Sequence, residues 1–62
     1  MNLAAKKEIE EVLEEFGIMT DGDLYALDGN TVAYLYERLK PVTEIYDLSD
    51  DEMEELLEAV FG

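Results

Sequence analysis

The chain contains no cysteine and no histidine, and only four of its 62 residues are basic. Without cysteine, neither a disulfide framework nor a thiolate metal site can hold the fold together. Without histidine, the chain lacks the commonest general base and the commonest transition-metal ligand. The shortage of lysine and arginine argues against direct binding to nucleic acid or to anionic lipid, because both interactions use those side chains to neutralise phosphates.

Long apolar runs are also missing. No run approaches the roughly 18 residues that a membrane span requires. Residues 1–15 lack the apolar segment of a signal peptide and turn acidic early. We therefore expect a cytoplasmic protein that makes no contact with a membrane.

Acidic residues are abundant instead. Seventeen aspartates and glutamates leave a formal net charge of −13, while 48% of the residues are apolar. That apolar content is too high for a disordered acidic tail, and the length predicts one domain, residues 1–62. Because so much like charge adds self-repulsion to a small and marginally stable domain, a basic partner is the simplest reason for carrying it.

Helical periodicity is clearest at the two ends of the chain. The first apolar stripe predicts a helix from about Leu3 to Phe16, followed by Gly17 as a left-handed C-cap. Ser49 and Glu52 form a capping-box signature that predicts a second helix from Asp50 to Phe61. The first stripe consists of Ala5, Ile9, Val12, Leu13 and Phe16, and the second of Met53, Leu56, Leu57 and Val60 with Phe61 beside it.

The middle of the chain allows two interpretations. A helical stripe of Val32, Leu35, Tyr36 and Leu39 favours a helix that is capped by Asp28 or Asn30 and ends before Pro41. Short helical turns are predicted from Thr20 through Leu27 and from Pro41 onward. The fold class is therefore all-α, a small three-helix bundle with one or two extra short helical turns. The alternative is an α+β fold with a hairpin around Asp28-Gly29, covering residues 24–36.

Enzymatic chemistry finds little support in the chain. The single serine, Ser49, already has a capping role, and a 62-residue bundle leaves little interior for a pocket of about 300 Å3 or more. We expect no catalytic residue, no cofactor and no specific metal site. An EF-hand loop beginning at Asp21 fails at Tyr25, Ala26 and Val32, so the acidic residues of this stretch are interpreted as caps and turn formers.

Two rows of carboxylates carry the functional hypothesis. Residues three or four apart on a helix lie about 5–6 Å from each other, a spacing comparable to that of backbone phosphates. The rows are Glu8, Glu11 and Glu15 on the first helix, and Asp51, Glu54, Glu55 and Glu58 on the last. Ordinary solvated helix faces intersperse lysine or arginine, and the last helix has neither. We therefore predict that both rows bind a basic protein surface.

Tyrosines add candidate anchors for such a contact. Tyr34 points away from the apolar stripe of the middle helix, and Tyr25 lies in a short turn. The alternative is that both rings merely cover a small core. Tyr36 and Tyr46 are predicted to lie at the edge of the core.

At the level of class, the chain resembles the small acidic inhibitors that phages and mobile elements make against host nucleic-acid enzymes. The small size, the acidic rows Glu8 to Glu15 and Asp50 to Glu58, and the absence of cysteine and histidine carry this resemblance. The class includes nucleic-acid-mimic, anti-restriction and anti-CRISPR proteins. It implies a non-enzymatic inhibitor in the host cytoplasm that occupies a nucleic-acid channel or holds its target inactive. The alternative is a structural or adaptor subunit that completes a larger assembly or a homodimer.

Overall fold

The computed structural model describes all 62 residues and contains four helices and no strand. They are α1 (Leu3–Glu15), α2 (Asp21–Tyr25), α3 (Gly29–Ile45) and α4 (Asp50–Phe61). The predicted all-α bundle of three main helices with a short extra one is confirmed. The hairpin alternative around Asp28-Gly29 is wrong, because the Asp28 carboxylate accepts the Thr31 amide at 2.7 Å and begins α3 there.

Side-chain caps begin the other helices as well. The predicted capping box is confirmed: the Glu52 amide donates to Ser49 Oγ at 3.2 Å, and the Ser49 amide donates to Glu52 Oε1 at 3.1 Å. Thr20 and Asp23 form a second capping box at the start of α2. Asn2 Oδ1 accepts the Ala5 amide at 3.1 Å and begins α1, a cap that the apolar pattern did not indicate.

Two helices end in the same left-handed turn. After α1, Gly17 has φ +70° and the Ile18 amide donates to the Leu13 carbonyl at 2.9 Å, which confirms the predicted C-cap. After α3, Asp47 has φ +52° and the Leu48 amide donates to the Thr43 carbonyl at 2.9 Å. The second turn therefore places an aspartate where glycine is preferred.

The prediction that the middle helix ends before Pro41 is wrong. Pro41 lies inside α3, and the short turn predicted after it is the last part of the same helix. Pro41 has no amide to donate to the Glu37 carbonyl, an interior defect that costs about 3 kcal/mol. Burial of Val42 beyond the proline, together with the closing turn at Asp47, offsets this local preference.

The core is small and wholly apolar. Its nine buried residues are Ala5, Ile9, Val12, Leu13, Ile18, Leu35, Leu39, Val42 and Leu56. α1 packs against both α3 and α4 and supplies four of them. α4 supplies only Leu56, and the rest of its apolar stripe is half-buried at the edge of the core. α4 thus packs one side against the core and exposes its acidic side to solvent.

Replacing Asp47 with glycine should stabilise the protein. The substitution removes the side chain that makes the left-handed backbone unfavourable, so we expect the free energy of unfolding to rise by about 1 kcal/mol. The melting temperature would then rise by about 4–8 °C for a domain of this size. Thermal unfolding followed by circular dichroism measures the shift.

Two further variants separate the backbone effect from the loss of a charge near the C-terminus of α3. Asp47→Asn removes the same charge and keeps a side chain, so it should gain less than Asp47→Gly. Gly17→Ala should lose about 1 kcal/mol, since no atom lies within 4 Å of the added Cβ and only the backbone strain remains. Equal gains from Asp47→Asn and Asp47→Gly would contradict the backbone explanation.

Candidate functional site

The acidic row of α4 is an open and uncompensated surface. Asp51, Glu54, Glu55 and Glu58 are all exposed, and their spacing of three and four residues places them on one side of the helix. α4 carries no lysine or arginine. Both ion pairs of the protein join α1 to itself or to α3, so no lysine or arginine of this chain forms an ion pair with the α4 row.

The acidic row of α1 is divided by the fold. Only Glu11 is exposed without an ion pair. Glu15 Oε2 lies 2.6 Å from Arg38 Nη2 of α3, so this carboxylate bridges two helices. Glu8 is half-buried, and its Oε2 is enclosed without a hydrogen-bond partner. The three predicted residues therefore do not form one open row as the α4 carboxylates do.

Glu8 lies beside the ring of Tyr46 at the end of α3. Burial raises the pKa of the Tyr46 hydroxyl above its ordinary value of 10.0, and the neighbouring Glu8 carboxylate raises it further, first as a hydrogen-bond acceptor for the protonated hydroxyl and then by opposing a second negative charge. Tyr46 packs half-buried against the core, which confirms its predicted place at the core edge. Glu8 is thus involved in the packing of α1 on α3.

The other three tyrosines are all exposed, and Tyr36 differs from the prediction. Tyr34 is 58% exposed, and its ring contacts Phe16 with the ring centroids 5.6 Å apart. Tyr25 is 84% exposed at the end of α2. Tyr36 is also 58% exposed, so its predicted place at the core edge is wrong. It directly follows the buried Leu35, and adjacent residues are about 100° apart around a helix, which turns Tyr36 away from the core.

Tyr25 and Tyr36 line a groove that the sequence interpretation did not include. The groove has a volume of about 470 Å3 and lies between α2, α3 and α4. The expectation of little room for a cavity above about 300 Å3 concerned the interior, whereas this groove is on the surface and partly open to solvent. Its lining consists of carboxylates, tyrosines, other apolar side chains and the terminal glycine, with no lysine or arginine.

The remaining acidic residues include structural caps. The backbone amides of Met19 and Thr20 donate to Asp23, and these hydrogen bonds hold the pKa of Asp23 below its ordinary value. The Thr31 amide lowers the pKa of Asp28 in the same way. The interpretation of both residues as caps is confirmed. The structure brings together no group of three side chains that could hold a metal ion.

The chain matches no protein-family model, no curated protein and no solved structure. None of its four helices combines the length and the apolar character that crossing a membrane requires. The geometry of the acidic side of α4 and of the adjoining groove therefore carries the functional argument.

The Asp28 cap predicts a definite pH dependence of stability. Because the hydrogen bonds lower its pKa in the folded state below 3.8, the charged cap stabilises the fold above that pH. This contribution is lost as the pH falls through the lowered value. Asp28→Asn keeps a capping side chain without the charge, so the native protein should melt above the variant at pH 6, and this difference should shrink as the pH falls below 3.8.

Glu37→Gln is the matched control for this titration, because it removes one charge from an exposed site on the same helix. Melting curves in moderate salt, which screens long-range repulsion, measure both differences. The account would be contradicted if Asp28→Asn and Glu37→Gln changed the melting temperature alike at every pH.

Proposed function

We propose that the protein is a non-enzymatic inhibitor that docks the acidic side of α4 onto a basic, nucleic-acid-binding surface of a partner protein, such as a nuclease or a CRISPR effector. One observation carries the proposal: four exposed carboxylates lie along α4, and neither that helix nor an ion pair supplies a compensating cation.

The physical basis is the similarity of this row to a phosphate backbone. Lysine and arginine side chains that bind phosphates also bind carboxylates, and the spacing of about 5–6 Å along α4 lets several of them engage together. The net charge of −13 would steer the protein toward such a surface and make association fast at low salt. Occupation of the basic surface then excludes nucleic acid.

The other predicted contact residues take unequal parts in this proposal. Glu11 on α1 and the ring of Tyr25 are exposed and available to a partner, whereas the ring of Tyr34 packs against Phe16 and is given no part in the contact. Glu15 is already paired with Arg38, and Glu8 is partly enclosed. The α4 row is therefore the better target for mutation than the α1 row.

A capture experiment tests the proposal. Tagged protein is exposed to bacterial lysate at low and at high salt, and retained proteins are identified by mass spectrometry. We expect a nucleic-acid enzyme that is retained at low salt and released by high salt or by added DNA. Its affinity should fall by about 10–100-fold when Glu54, Glu55 and Glu58 are all replaced by glutamine, at up to about 1 kcal/mol for each lost charge pair.

The matched control replaces Glu14, Glu37 and Glu44 with glutamine. These exposed residues lie on α1 and α3, and their removal changes the net charge by the same three units. The control should retain most of the affinity. Equal losses in the two triple variants would contradict docking through α4 and would indicate a response to net charge alone.

A second function is favoured by exposed apolar side chains away from α4. Ile45 is 71% exposed, and Leu3 and Met19 are similarly open to solvent. A structural or adaptor subunit that completes a larger assembly or a homodimer would bury such residues. It predicts capture that tolerates high salt, or recovery of further copies of this chain, in the same experiment.

A further inference from the structure

The groove between α2, α3 and α4 offers more than charge. Its floor includes Leu24, Leu57 and Phe61, which are half-buried and pack against the core from below. An apolar side chain entering the groove would meet these residues. The volume of about 470 Å3 lies within the range of about 300–1,000 Å3 that is common for small-ligand sites.

Two tyrosines form the sides of this groove, and both side chains are largely exposed to solvent. Tyr25 on α2 is 84% exposed and Tyr36 on α3 is 58% exposed. Tyrosine provides a large contact area with only two rotatable side-chain bonds, which makes it a frequent anchor in protein interfaces.

The rim of the groove determines the charge of its occupant. Asp21 on α2 and Glu54 and Glu58 on α4 lie at the rim, and no lysine or arginine lines the groove. An anionic ligand would be repelled, and a purely apolar ligand would leave the rim unused. A large apolar side chain flanked by lysine or arginine complements both the floor and the rim.

From this arrangement we infer that the groove binds a basic segment of the partner protein, one that inserts a large apolar side chain between lysine or arginine residues. The inference deepens the proposed function and rests on it, because it takes the partner to be a basic protein. The carboxylates of the rim hold the flanking cations, and the tyrosines with the apolar floor hold the inserted side chain.

A tryptophan-containing peptide tests the inference directly. The protein has four tyrosines but no tryptophan, so excitation at a wavelength that tyrosine does not absorb makes the emission of a lysine-rich peptide with one central tryptophan report only on the peptide. A second peptide replaces the tryptophan with serine and is measured by its ability to displace the first. We expect the tryptophan peptide to bind about tenfold more tightly or better, with its emission shifted to the blue as the ring leaves water.

Two tyrosine variants locate the binding. Tyr36→Ala should weaken the tryptophan peptide by roughly tenfold and leave the serine peptide unchanged. Tyr34→Ala is the matched control, because Tyr34 lies on the same helix, is equally exposed and does not line the groove. It should leave the affinities of both peptides unchanged. Both side chains are exposed, and circular dichroism verifies that each variant is folded.

Several outcomes would overturn the inference. Equal affinity for the two peptides, or equal effects of Tyr36→Ala and Tyr34→Ala, would exclude the groove as the site of the apolar side chain. The proposed function would survive that result, because the capture experiment and the triple variant of Glu54, Glu55 and Glu58 test it separately. Sedimentation of the protein alone provides a further check, because a dimer abolished by Tyr36→Ala would assign the groove to a second copy of this chain.

Discussion

Burial of one face of α1 between α3 and α4 supports the rest of the structure. Ile9 and Leu13 are almost completely enclosed there, and Leu35 and Leu39 from α3 and Leu56 from α4 meet them in a single cluster. This cluster contains no buried polar residue and has to balance both the conformational entropy of the chain and the mutual repulsion of its carboxylates. Every acidic residue is consequently kept out of the core, and only Glu8 has an enclosed oxygen without a partner.

The small size of this core also explains where the candidate binding surface lies. Since α4 contributes one fully buried residue, its remaining apolar side chains line the edge of the core and the floor of the groove. The same helix presents its carboxylates to solvent on the adjoining side. Charge and apolar surface are thereby placed next to each other. That combination suits a partner with both features better than it suits a plain polyelectrolyte.

Sequence reasoning was most successful where local signals agreed. In α1 the apolar period and the C-cap glycine indicated the same boundaries, and in α4 the apolar period and the Ser49–Glu52 capping box did so. The structure reproduces these boundaries to within a residue. It failed at Pro41, where the local preference of proline is outweighed by the burial of Val42. The hydrophobic periodicity of one helix does not indicate a non-local contact of this kind.

Part of the candidate surface could also be predicted from local signals. Exposure of the α4 row follows from its position opposite the apolar stripe. The ion pair of Glu15 with Arg38 and the enclosure of Glu8 depend on how α3 packs against α1. The spacing of residues within α1 does not indicate that packing. Tyr36 offered a usable signal, because a stripe of Leu35, Leu39 and Val42 leaves the next residue outside it. The groove itself arises from the meeting of three helices.

The central claim is that the acidic side of α4 and its groove differ from the rest of a uniformly acidic surface. Titration of isotope-labelled protein with polylysine, followed amide by amide in NMR spectra at increasing salt, tests it most directly. The account predicts that the resonances of α4 and of the residues around Tyr25 and Tyr36 shift first and persist to the highest salt. Shifts spread evenly over the exposed carboxylates of α1, α3 and α4, and lost together as salt rises, would contradict it.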